Sequence, residues 1–163
     1  MRAFTIPILC ALWLALVACG GATEPVPVRA PMAATTPGDA ANGATASSNG
    51  ITLRANVVET QDLQESVAAG YGIARQPNQA LLLLTVRDAN GDNATPVSLQ
   101  ATVSDLKVGG RPLQLQEIRV GECVDRIGLA PVNAPDTLTF EVRAQLTPGS
   151  TSTMRVSRDF YPR

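Results

Sequence analysis

The chain has 163 residues, thirteen basic and fourteen acidic side chains, a net charge of −1, three cysteines and no histidine. Without histidine it lacks the commonest general base and the usual zinc or copper ligand, so no metal, cofactor or catalytic set is expected. The balanced charge, with no basic cluster, excludes a nucleic-acid binder, and the length suits one globular core.

The first elements concern address rather than fold. Arg2 gives a positive start and Phe4 to Val17 an apolar run, too short to cross a ~30 Å hydrocarbon core comfortably. A small-residue segment follows, so residues 1–18 read as a secretory signal peptide. Leu16-Val17-Ala18-Cys19 matches the bacterial lipoprotein box, in which the chain is cut before the cysteine and the thiol is acylated. The alternative is an ordinary signal peptide in which Cys19 is incidental. Each buried acyl methylene contributes ~0.8 kcal/mol, so several chains anchor stably where one does not. The expected partner is therefore the membrane, through lipidated Cys19. Gly20, where an Asp would signal inner-membrane retention, points to the outer membrane and a periplasm-facing position. Cys10 and Trp13 would leave with the signal.

Residues 19–49 are rich in Ala, Thr, Gly, Pro and Ser, with Pro25, Pro27, Pro31 and Pro37 spaced along them. Such a stretch buries too little apolar surface to offset the entropy of ordering, so a disordered linker is expected. Flexible-chain scaling gives it a reach of ~30 Å.

Residues 50–163 carry the domain. Ile51, Leu53, Ala55 and Val57 alternate with polar residues, as a half-buried strand does. Asp62 followed by Glu65 is a variant capping box, and Leu63 and Val67 share a helical face. A short helix ending at Gly70 or Gly72 is expected across one end of the domain. Leu81 to Leu84 with Thr85-Val86 is apolar in both phases, which predicts a central strand covered on both faces. Asp88-Ala89-Asn90-Gly91-Asp92 is a turn; it starts like a calcium loop but has Asn93 and Leu99 where glycine and glutamate are needed.

Val97 to Val103 and Leu138 to Leu146 alternate again, and Gly109-Gly110 and Thr147-Pro148-Gly149 mark turns. Between them the phase slips, with Leu113 and Leu115 on one face and Ile118 and Val120 on the other; a β-bulge near Gln116–Glu117 would allow this. In the last strand Arg158 shares a face with Met154, Val156 and Phe160. A buried guanidinium there needs a carboxylate, with Glu117 or Asp125 as candidates; otherwise Arg158 sits at the rim with its head in water. Once the signal is removed and Cys19 acylated, Cys123 is the one free thiol, and it is expected to be a small buried hydrophobe rather than a reactive group. Six or seven short strands with one helix predict an all-β, immunoglobulin-like antiparallel β-sandwich.

Three segments carry a family resemblance: Val67-Ala68-Ala69-Gly70-Tyr71-Gly72-Ile73-Ala74-Arg75, Cys123-Val124-Asp125-Arg126-Ile127-Gly128 and Arg158-Asp159-Phe160-Tyr161-Pro162. Together they resemble the proteobacterial domain-of-unknown-function family 4426. The resemblance implies a small exported β domain and no particular activity. Within it, Gly72 would permit a turn, Tyr71 would cover the core edge and Arg75 would pair with an acid, unless these side chains serve recognition.

Tyr71, Arg75, Glu117, Asp125 and Arg158 are thus the candidate interaction or structural residues. The leading expectation is a non-catalytic binding or accessory module of the cell envelope with a protein partner, to which a sandwich edge can offer a strand. An immunity or inhibitor lipoprotein that neutralises a toxin is the alternative. An enzyme working through carboxylates such as Glu117, Asp125 or Glu141 is the remote one.

Overall fold

The structure, a computed structural model, describes residues 43–162. The signal, Cys19, the linker up to residue 42 and Arg163 lie outside the described residues. The strands in chain order are β1 (Gly43–Ser48), β2 (Ile51–Glu59), β3 (Gln79–Arg87), β4 (Ser98–Ser104), β5 (Arg111–Leu113), β6 (Gln116–Val120), β7 (Cys123–Pro131), β8 (Asp136–Thr147) and β9 (Ser150–Phe160). Between β2 and β3 stand a 3-10 turn, Thr60–Asp62, and a helix, α1 (Glu65–Tyr71).

Two antiparallel sheets form, ordered β1-β2-β3-β7-β6 and β5-β4-β8-β9. Setting β1 aside, these are the A-B-E-D and C′-C-F-G sheets of an immunoglobulin-like sandwich. The alternating residues of each strand point at the other sheet. Leu53, Ala55 and Val57 of β2 and Leu82, Leu84 and Val86 of β3 meet Leu138, Phe140, Val142, Met154 and Val156 in one buried cluster. Phe140 lies opposite both Val103 and Val156 and is fully buried.

Four expectations change. A strand, β1, begins at Gly43, inside the stretch read as linker. Its Ala, Thr and Ser side chains give no apolar signal, but residues Gly43 to Ser48 pair one for one with Asn56 to Ile51. The phase slip at 113–120 is a change of sheet rather than a bulge: β5 ends at Leu113 in one sheet and β6 begins at Gln116 in the other. Leu113 and Leu115 pack against the inter-sheet core, whereas Ile118 faces the far side of the first sheet. The Asp62–Glu65 capping box does not form; the helix starts two residues later than that pattern implies, with Gln64 as an N-cap that makes no side-chain bond. It ends where expected. Gly72 adopts φ +65°, and Ile73 and Gly72 donate their N–H groups to the carbonyls of Ala68 and Ala69, a left-handed cap suited to glycine.

The helix does not cross an end of the sandwich. It covers part of the outer face of the first sheet, where Leu63, Tyr71 and Ile73 pack on Leu81, Ile118 and Ile127. This cover is why β3 carries leucine in both phases.

The sheets also meet closely at Gly128, where an added Cβ would lie 2.5 Å from Leu113 Cδ2 and 2.8 Å from Leu113 Cγ. Gly128→Val should therefore lower stability by about 1–3 kcal/mol through overpacking. A denaturant midpoint equal to that of the native chain would show that the sheets separate there at no cost.

Candidate functional site

The outer face of the first sheet has two halves. The covered half is the apolar cluster beneath α1. The open half begins where Arg54, on β2, lies opposite Thr85, on β3, and Thr52 lies opposite Arg87. The turn after β3 rises beside them as a wall, and the recess encloses about 500 Å³. The wall is internally fixed. Asp88 Oδ1 accepts the N–H groups of Asn90 at 2.8 Å and Asp92 at 3.0 Å, so this carboxylate organises the turn. Asn93 joins it to the β6–β7 hairpin, donating to the Glu122 carbonyl at 2.6 Å and accepting from the Val124 N–H at 2.9 Å.

Tyr71, Asp125 and Arg87 stand on the border between the halves. Arg87 donates to Asp125 Oδ1 at 2.6 Å and to the Val86 and Val124 carbonyls at 3.0 and 3.1 Å. Asp125 is buried, and this fork of donors supplies its counter-charge. The Tyr71 phenol titrates above its usual 10.0, pushed up by burial first and then by the negative charge of Asp125 and of the Cys123 thiolate. Cys123 itself is exposed at the start of β7, contrary to the expectation of burial. It pairs with Val120 across a two-residue turn at the sheet margin.

The other sequence-predicted residues lie elsewhere. Arg158 does reach from the buried face of β9, but its partner is neither Glu117 nor Asp125. Its Nη1 donates to the Val57 carbonyl at 2.8 Å, its Nη2 stands 3.8 Å from Asp62 Oδ2, and its guanidinium lies 5.7 Å from the Phe160 ring centroid. Arg75 donates to the Gln61 carbonyl at 2.8 Å, a backbone acceptor in place of the expected acid. Thr60, fully buried, exchanges hydrogen bonds with the carbonyl and N–H of Gln76. Three consecutive residues of the 3-10 turn are thus each held by a side-chain contact, which fixes the segment carrying α1. Glu117 accepts from Arg119 at 3.1 Å and Arg126 at 3.2 Å on the opposite side of the first sheet. Glu141, on the outer side of the second sheet, accepts from Arg143 and Arg155.

The structure therefore brings Tyr71 and Asp125 together and separates Arg75, Glu117 and Arg158 from them. Glu117, Asp125 and Glu141 occupy three different surfaces, so no acid pair forms from them. Among the described residues no group of three His, Cys, Asp or Glu side chains is placed to hold a metal ion. Sequence reading missed Arg54 and Asn93. The available signal for Arg54 was its phase: it is a polar-phase residue on the strand that must lie beside the leucine run.

The family model described as a domain of unknown function, DUF4426, matches residues 46–163. A crystal structure of a DUF4426 family protein from Pseudomonas aeruginosa PAO1 is similar, with a TM-score of 0.60 at 16% identity over 75% of this chain and 97% of that one. That likeness concerns the fold. A crystal structure of the Lin-41 filamin domain matches at a TM-score of 0.32 and 17% identity, over 63% of this chain and 90% of that one. No curated protein matches the chain.

Replacing Asp125 by Asn leaves the Arg87 guanidinium without its carboxylate. With both side chains partly screened by solvent, a loss of about 1–3 kcal/mol is expected on chemical unfolding. The same change should lower the Tyr71 midpoint, read by absorbance in a Tyr161→Phe background where Tyr71 is the one remaining phenol. Because folding favours the neutral phenol, its stabilisation is complete below pH 10.0 and is lost as pH rises through the raised midpoint. A midpoint that stays put in Asp125→Asn would separate the two groups electrostatically.

Proposed function

The chain belongs to the DUF4426 family, and from that premise we propose that it is a lipid-anchored protein of the bacterial envelope whose sandwich serves as a non-catalytic binding module. The anchor reading rests on Leu16-Val17-Ala18-Cys19 at the end of a short apolar run. The chain would be cut before Cys19, acylated there and held facing the periplasm, with Gly20 favouring the outer membrane. Residues from Gly20 to the start of β1 would act as the spacer.

One observation carries the binding reading. The outer face of the first sheet is covered over its apolar half and left open over its polar half, where strands and a fixed turn form a recess. A surface built on paired strands holds its side chains more firmly than a loop would, as recognition requires. The candidate carboxylates Glu117, Asp125 and Glu141 are each engaged by arginine and face different surfaces. The expected partner is an envelope protein that docks at the open half.

Two measurements check this. Cys19→Ala should move the protein from the membrane pellet to the soluble periplasmic fraction and abolish incorporation of labelled palmitate. A photo-crosslinking residue at Asn90 should capture one dominant protein in cells, whereas the same residue at Glu141 should not. Equal yields from the two positions would remove the binding reading. Unchanged fractionation of Cys19→Ala would remove the anchor.

A further inference from the structure

In an arginine-rich chain, one guanidinium stands apart. Arg87 is paired with Asp125, Arg111 with Asp105, Arg119 and Arg126 with Glu117, Arg143 and Arg155 with Glu141, and Arg158 with Asp62. Arg75 donates to the Gln61 carbonyl. Among the described arginines only Arg54 has a side chain with no hydrogen bond or ion pair. It is exposed, and it lies in the recess.

Its neighbours make that state informative. The register places Arg54 opposite Thr45 on one side and Thr85 on the other, with no acid across either strand. Arg87 is its diagonal neighbour on the same face, but that guanidinium is already committed to Asp125 and to two backbone carbonyls. An anion seated against Arg54 would complete the set. We propose that the recess binds the carboxylate side chain of an acidic peptide segment, with Arg54 as the pairing group. The inference rests on the binding-module reading and names its ligand.

Charge selects a carboxylate over a phosphate. The recess and its border carry Arg54 and Arg87 against Asp88 and Asp125, a neutral sum. A monoanion can pair with Arg54 in the two-pronged geometry that guanidinium and carboxylate share. A phosphate dianion would bring a second negative charge beside Asp88 and Asp125. Shape selects a peptide. No aromatic ring lines the recess, so neither a sugar nor a base finds a face to stack on. Thr85 offers a hydroxyl to backbone amides, while that of Thr52 is held by Ser47 at 3.0 Å. Gly91, at φ +90° with nothing within 4 Å of an added Cβ, leaves room for a second backbone to approach.

The test uses the lipidated protein in detergent and three labelled hexapeptides: alternating Glu and Ser, the same with Gln for Glu, and the same with phosphoserine for Glu. Fluorescence anisotropy should show binding of the Glu peptide that weakens as salt rises, at least tenfold weaker binding of the Gln peptide, and weaker binding of the phosphoserine peptide. Arg54→Gln should weaken the Glu peptide by about tenfold. Its thermal midpoint should match that of the native chain, because the Arg54 side chain is exposed and makes no hydrogen bond or ion pair. Equal affinity for the Glu and Gln peptides, indifference to Arg54→Gln, or preference for phosphoserine would each overturn the proposal. If the peptides fail while crosslinking from Asn90 still captures one partner, the ligand assignment falls and the binding module stands. If both fail, both fall.

Discussion

Four consecutive leucines, Leu81 to Leu84, cannot occupy an antiparallel sheet unless both of its faces are covered. One face is covered by the second sheet, as in any sandwich. The other needs a separate element, and the chain supplies it with the segment from the 3-10 turn to Ile73, inserted directly before the strand that needs it. The helix in this segment has only seven residues, about 10 Å at 1.5 Å per residue, so the cover ends part-way along the strands. Beyond it the same face carries Arg54, Thr85 and Arg87. The apolar half and the polar recess are two results of one short cover.

The cover is held less by its own helix than by contacts at its base. Seven residues without a side-chain N-cap form a marginal helix. Thr60, Gln61 and Asp62 receive a hydrogen-bonded loop residue, Arg75 and Arg158 in turn. Arg158 also reaches the Val57 carbonyl, so the last strand of one sheet, the second strand of the other and the cover meet at one guanidinium. A backbone carbonyl, that of Gln61, serves Arg75 where an acid was expected, and the Val57 carbonyl supplements Asp62 at Arg158. A carbonyl takes a charged donor without bringing a second charge into a half-buried place, so it avoids the desolvation that an ion pair incurs. The Tyr71 and Arg158 family segments, conspicuous in the sequence, take part in this assembly.

Much of the fold was legible because alternation is a direct record of a two-faced strand. Leu138 to Leu146 and Ile51 to Val57 show it without interruption, and the leucine run marks the strand buried twice. What escaped had no such record. The strand Gly43–Ser48 has small polar side chains because it lies at a sheet edge with little to bury, so composition makes it look like linker. The slip after Leu115 has the same local pattern whether a strand bulges or the chain changes sheet, and only the partner of Gln116 decides between them. Arg75 and the shorter contact of Arg158 end on backbone carbonyls, which carry no residue identity to search for. Arg54 is one polar-phase residue among many; the isolation of its side chain appears only when every other described arginine is matched with its partner.

The first strand has a mechanical consequence. Gly43, where the described chain begins, pairs with Asn56, and the hairpin turn lies at the opposite end, at Asn49-Gly50. Tension arriving from the preceding chain therefore loads the ladder one rung at a time, from Gly43 towards Ser48, an unzipping rather than a shearing geometry. The peeled strand takes little of the core with it and releases roughly 20 Å of contour. Peeling then meets the cross-ties at the turn, where Ser48 bonds to Ser150 and Asn49 donates to Thr147 of the other sheet. A compliant, re-formable extension thus stands between whatever pulls on the chain and the sandwich, which can be strained at its entrance before it is strained at its core.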